Sequence, residues 1–113
     1  YTSWLAHVNG MPVLVMSTGM GGPCVTFAVE ELARLGVETF IRVGTTGSIQ
    51  ESIHLGDVII NTASVRMDGA SRNYAPVEYP GIADLETTME LKQAAAELGI
   101  SCHMGISVST GTV

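Results

Sequence analysis

Apolar and polar residues alternate along the chain in two rhythms, one suited to strands and one to helices. Two apolar runs flank Asn9-Gly10, whose residue types favour the positive φ values of a type I′ turn, so residues 5–17 are predicted to form an antiparallel hairpin. After Ser17-Thr18-Gly19-Met20-Gly21-Gly22-Pro23, apolar residues fall at Val25, Ala28, Val29 and Leu32, the i, i+3, i+4, i+7 spacing of a core-facing helix. Pro23 suits its first turn and Gly36 its end. Glu30 and Arg34 are spaced as an i,i+4 pair on a solvated face. Thr39-Phe40-Ile41-Arg42-Val43 reads as a mostly buried strand, closed by Gly44-Thr45-Thr46-Gly47.

A further strand is expected over 57–65. Residues 66–81 carry Asp68-Gly69, Ala75-Pro76 and Pro80-Gly81 and read as a long irregular segment, a kind of segment that is often functional inside compact domains. Asp84 is placed to cap a helix bearing Leu85, Met89, Leu91, Ala95 and Leu98 and ending at Gly99. A last strand is predicted over 101–109. Apolar strands alternating with helices imply an α/β layer protein whose helices cover a largely buried sheet.

Composition narrows the function classes. The chain has 113 residues, 46% of them hydrophobic and 14% charged, too apolar for disorder as the main state. That length allows one domain at most, and residues 1–113 are expected to be a partial domain truncated at both ends, since Tyr1 is not an initiator residue. No apolar run approaches the ~18 residues of a bilayer span, so no membrane partner is expected. A net charge of −6 without any Lys/Arg run argues against a nucleic-acid partner. Two Cys, at 24 and 102, with no CxxC and no paired His spacing, indicate neither a disulfide framework nor a metal site, and fit a reducing cytoplasm.

Two stretches carry candidate chemistry. Gly19-Met20-Gly21-Gly22 before a helix either forms an anion-sized pocket of free N–H groups or is a tight turn that needs glycine. It matches neither GxGxxG nor a Walker A loop. Arg42 is more informative, because a guanidinium within an apolar run requires an anion: a ligand, or an internal Asp or Glu. The hydroxyls of Thr45 and Thr46 follow it where open α/β sheets place ligands, and Gly44 and Gly47 let backbone N–H groups approach. His7, His54 and His103 are scattered and read as structural or solvated. The six Met read as core filler, and Arg66, Asp68 and Arg72 as solvated or interface residues of the long loop.

Ser17-Thr18-Gly19-Met20-Gly21-Gly22-Pro23, Ala28-Val29-Glu30-Glu31-Leu32-Ala33, Arg42-Val43-Gly44-Thr45-Thr46-Gly47 and Ala63-Ser64-Val65-Arg66-Met67-Asp68-Gly69-Ala70-Ser71, in that order, closely resemble the uridine phosphorylase family of the nucleoside phosphorylase superfamily. Thr45-Thr46-Gly47 stands where hexameric purine enzymes carry Ser-Cys-Gly, and those enzymes lack the 66–71 motif. The resemblance implies a three-layer α/β/α fold with a mixed central sheet, only partly present here. It implies reversible phosphorolysis of uridine to uracil and ribose 1-phosphate in pyrimidine salvage, with inorganic phosphate as co-substrate, no other cofactor and no metal. By the same resemblance Arg42 and Thr45 are catalytic and bind phosphate, Thr45 also touches ribose, and Thr46 and Gly47 line the nucleobase. A homo-oligomer, a hexamer built as a trimer of dimers, is implied too. Two positions depart from the family pattern: Cys24 stands at a serine position of a monovalent-cation site, and Ser109-Thr110-Gly111-Thr112-Val113 replaces Ser-Ser-Asp-Thr-Phe, so an aliphatic stands for the aromatic that stacks on the base. The rival readings are a purine or other nucleoside phosphorylase, a nucleosidase of the same fold, and a non-catalytic nucleoside- or phosphate-binding α/β module.

Overall fold

Asn9 and Gly10 adopt φ values of 49° and 79°, the left-handed pair that a type I′ turn demands. They join β1 (Thr2–Val8) to β2 (Met11–Ser17) in an antiparallel register that runs from Val8↔Met11 to Thr2↔Ser17. The expected hairpin is therefore present in a computed structural model that describes residues 1–111. Thr112 and Val113, and with them the replacement of the family aromatic, lie outside the described residues.

The chain divides into two units, Tyr1–Ile41 and Arg42–Val113. In the first, β2 leads to α1 (Gly22–Arg34), with Pro23 in the opening turn and the Arg34–Glu30 ion pair on its solvated face. The helix ends in a Schellman motif, where Gly36 N–H bonds Ala33 O at 3.0 Å and Val37 N–H bonds Leu32 O at 3.0 Å. Ala28 is its buried residue. Tyr1 Oη donates to Cys24 O at 3.1 Å, tying the start of β1 to the first turn of the helix.

In the second unit β3 (Val58–Met67) is central to a mixed sheet of order β4-β3-β5, with β4 (Gly81–Ile82) antiparallel and β5 (Cys102–Thr110) parallel to it. β3 runs two residues beyond the predicted end because its ladder continues through Arg66↔Ser109 and Met67↔Thr110. A register shift between Asn61 and Ala63 leaves Thr62 as a bulge. Its groups are satisfied locally: Thr62 Oγ1 donates to Gly105 O at 3.2 Å, and Thr62 O accepts from Ala83 N–H at 3.0 Å.

Helix α2 (Leu85–Glu97) packs against β3 and β5. Asp84 caps it as predicted, its carboxylate accepting from Thr87 N–H at 2.8 Å, and Gly99 and Ile100 close the far end with a second Schellman motif. Ile60, Thr88 and Ala95 are the buried residues of this unit.

Two expectations fail. Residues 39–43 form no strand, because an apolar run supplies no ladder partner and none pairs with it among the described residues. Nor is the sheet largely covered within its own unit: Val65, Met67, Ile106 and Val108 remain 49–71% exposed although α2 packs on β3 and β5. The long 66–81 segment is also more regular than expected, containing a 3-10 turn (Ala70–Asn73) and ending in β4.

Candidate functional site

The residues singled out for phosphate and nucleoside lie together on one stretch without helix or strand, residues 37–49. Arg42, Thr45, Thr46 and Gly47 are all exposed. Arg42 folds its guanidinium back over Gly44, so closely that a Cβ there would lie 3.1 Å from both terminal nitrogens. No carboxylate pairs with Arg42 among the described residues, so the internal ion pair weighed from sequence is not formed. Thr46 Oγ1 donates to Gly47 O at 3.5 Å. Downstream, Gln50 N–H donates to Ser48 Oγ at 3.0 Å and closes a local turn.

A second polar cluster sits at the end of β3, and it was not foreseen. Arg66 spends every guanidinium N–H on the loop that follows it. Nε donates to Ser71 Oγ at 3.0 Å, Nη1 to Pro76 O and Tyr79 O at 2.7 Å each, and Nη2 to Ser71 O and Ala75 O at 2.7 and 2.8 Å. Ser71 Oγ in turn donates to Asp68 Oδ2 at 2.9 Å, and Ser71 N–H to Asp68 Oδ1 at 2.7 Å. Those two donors hold the Asp68 carboxyl below its ordinary range, the backbone N–H having the larger effect. Arg66 is thus a half-buried internal clamp, which corrects its reading as a solvated or interface residue. The signal that drew attention to Arg42, a guanidinium between apolar neighbours, is equally present at Val65-Arg66-Met67.

The clamp reaches the neighbouring strands. Gly81 of β4 lies against it: a Cβ there would meet Ser64 O at 2.7 Å and Arg66 Cγ at 3.2 Å. Ser64 Oγ and Ser109 Oγ are 3.0 Å apart across the β3–β5 pair. A Cβ on Gly111 would sit 3.3 Å from Asp68 O.

At the other end of the sheet His103 Nε2 and Asp57 Oδ2 are 2.9 Å apart. No group of three His, Cys, Asp or Glu suited to a metal is present among the described residues, and Cys24 and Cys102 are free thiols. No helix of the described residues is long and apolar enough to cross a membrane. The glycine-rich turn before α1 places Gly19 and Gly21 at φ of 76° and 92°, conformations that glycine adopts readily.

The second unit's mixed sheet, with a parallel pair and a packed helix, is that of an α/β protein. The profile of the phosphorylase superfamily matches residues 1–113, and the chain belongs to that superfamily. It is similar to a uridine phosphorylase of Escherichia coli (strain K12), with 53% identity over 112 residues, covering 99% of this chain and 44% of that protein. A uridine phosphorylase of Haemophilus influenzae is 54% identical over the same length and shares. One from Thermococcus kodakarensis is 51% identical over 110 residues, 97% of this chain and 40% of the relative. The chain spans less than half the length of these relatives. The mixed β4-β3-β5 sheet with its packed helix is consistent with part of a nucleoside phosphorylase fold.

Proposed function

We propose that this chain is part of a pentosyltransferase that cleaves uridine reversibly with inorganic phosphate, giving uracil and ribose 1-phosphate. The observation that carries the reading is its 51–54% identity, across nearly all its length, to proteins known as uridine phosphorylases in two bacteria and Thermococcus kodakarensis. The reaction passes through an oxocarbenium-like ribosyl centre, with phosphate approaching one face as the base departs from the other. Such chemistry needs placed charge and hydrogen bonds more than a covalent nucleophile.

In this reading Arg42 and Thr45 bind phosphate, Thr45 also touches ribose, and Thr46 and Gly47 line the base. Arg42 suits its role because its guanidinium is exposed and has no carboxylate partner among the described residues. A planar fork then meets two phosphate oxygens. Phosphate is the co-substrate, and no other cofactor is needed. The complete protein is a cytoplasmic homo-oligomer, a hexamer built as a trimer of dimers.

The test is nucleoside cleavage by the complete polypeptide containing these residues, with and without phosphate. Phosphate-dependent release of uracil, with kcat/KM for uridine above that for inosine, is the expected result. Cleavage by water alone makes it a nucleosidase, faster inosine cleavage moves it to the purine enzymes, and nucleoside binding without turnover makes it a binding module.

A further inference from the structure

We propose that Arg66 is a positioning residue for the nucleoside: it fixes the 69–80 loop as a wall beside the carboxyl ends of β3 and β5. The inference rests on the phosphorolytic reading and deepens it. Three observations carry it.

The first is valence. With Nε bonded to Ser71 Oγ, and Nη1 and Nη2 each bonded to two carbonyls, all five guanidinium N–H groups are used, so Arg66 has no donor left for a phosphate oxygen. The second is reach. Ser71, Ala75, Pro76 and Tyr79 span most of the loop, and one planar side chain gathers their carbonyls into a single geometry. A lysine, with one nitrogen and three donors, is unable to hold that set. The third is place. β3 and β5 run parallel and end at Met67 and Thr110, and open α/β sheets bind ligands beyond the carboxyl ends of their strands. There Asp68, the residue that leads into the clamped loop, has its carbonyl 3.3 Å from where a Cβ on Gly111 would stand, just past β5, and on the strands themselves Ser64 Oγ lies 3.0 Å from Ser109 Oγ.

In this reading the wall bears on the nucleoside, while phosphate is left to Arg42 and Thr45. Its loosening is felt as poorer nucleoside placement, with phosphate affinity unchanged.

The experiment measures steady-state kinetics of the complete protein with Arg66→Lys, Ser71→Ala and Arg72→Ala, varying uridine and phosphate separately. Arg66→Lys is expected to raise the uridine KM about tenfold or more, on the scale that displaced positioning groups produce, with the phosphate KM unchanged. Ser71→Ala, which removes one acceptor and leaves the four carbonyl bonds, is expected to raise the same KM by less. Arg72, exposed on the same turn, serves as the control, and its alanine variant keeps both constants. A merely structural role lowers the fraction of active enzyme, and so kcat, at unchanged KM; that result overturns the proposal, as does a rise in phosphate KM. If Arg66→Lys fails to fold, the Ser71→Ala constants decide by the same criterion. Failure of the functional reading shows separately, as wild-type protein that leaves uridine uncleaved. In that event amide exchange over 69–80 decides the clamp: unchanged protection in Arg66→Lys or Ser71→Ala overturns it.

Discussion

His103, near the start of β5, places its Nε2 2.9 Å from the Oδ2 of Asp57, the residue that precedes β3. The same carboxylate oxygen accepts the His54 N–H at 2.9 Å. These contacts keep the Asp57 carboxyl ionised below its ordinary range, the His54 backbone bond contributing most and the His103 bond next. A carboxyl that binds its proton less readily folded than unfolded stabilises the fold above its unfolded pKa of about 3.9, and that contribution is lost as pH falls through the lower folded value. Asp57→Asn is therefore expected to flatten the acid limb of Tm against pH below about pH 4. Thermal melts of wild type and variant between pH 3 and 7 check this, and parallel curves would remove Asp57 from that role.

The α2 cap offers a test of local structure. Replacing Asp84 with alanine removes the acceptor for Thr87 N–H and leaves an open donor in the first turn. A Tm fall of about 2–4 °C is expected for the loss of one cap in a protein of relative-like length. Asp84→Asn and Asp84→Ser, which retain an acceptor, should recover most of it.

Gly81→Ala tests the close approach of β4 to the clamp. A methyl group 2.7 Å from Ser64 O has to displace backbone, and 3.2 Å from Arg66 Cγ it presses on the arginine stem. Overpacking of this kind costs about 1–3 kcal/mol, which urea unfolding will read as a lower midpoint with an unchanged slope. An unaltered midpoint would mean that β4 moves away freely.

Arg42→Ala tests the proposed phosphate contact. In the complete enzyme, loss of a charge-assisted bond to an oxyanion is expected to cost about 2–4 kcal/mol of transition-state stabilisation, with a raised phosphate KM and a lower kcat. Wild-type kinetics in a well-folded variant would remove Arg42 from the site.

Local chemistry made some elements legible and nonlocal pairing hid others. Asn9-Gly10, Pro23, Gly36, Asp84 and Gly99 each act within a few residues of themselves, and the hairpin and both helices could be read from them. The 39–43 run could not be judged alone, since strand formation is decided by a partner that its own residues do not specify. β4, at two residues, is too short to show a period. Of the candidate site, the Arg42 stretch was visible through its glycines and hydroxyls. The Arg66 clamp was not, because four of its five acceptors are main-chain carbonyls, which every residue carries. Asp57 and His103 stand 46 residues apart, and the parallel register beginning at Val58↔Cys102 is what joins them.

The bulge at Thr62 makes the position of Arg66 a matter of parity. Side chains alternate across a strand, so one supernumerary residue reverses the odd-even assignment of everything after it. Because Thr62 is skipped in the ladder, Ser64 and Arg66 share the face of Ser107 and Ser109, while Ala63, Val65 and Met67 share that of Ile106 and Val108. Deleting Thr62 would close the ladder from Asn61↔Gly105 straight to Ala63↔Ile106, so Arg66 would keep its face and only the bulge's own bonds to Gly105 O and Ala83 N–H would be lost. Taking Thr62 into the ladder opposite Ile106 would instead exchange the two sets, turning Arg66 away from its carbonyls and bringing Val65 and Met67 to face them without a donor to offer. The bulge is thus what lets a strand with one residue more than its partner keep its arginine on the side of the loop that it holds.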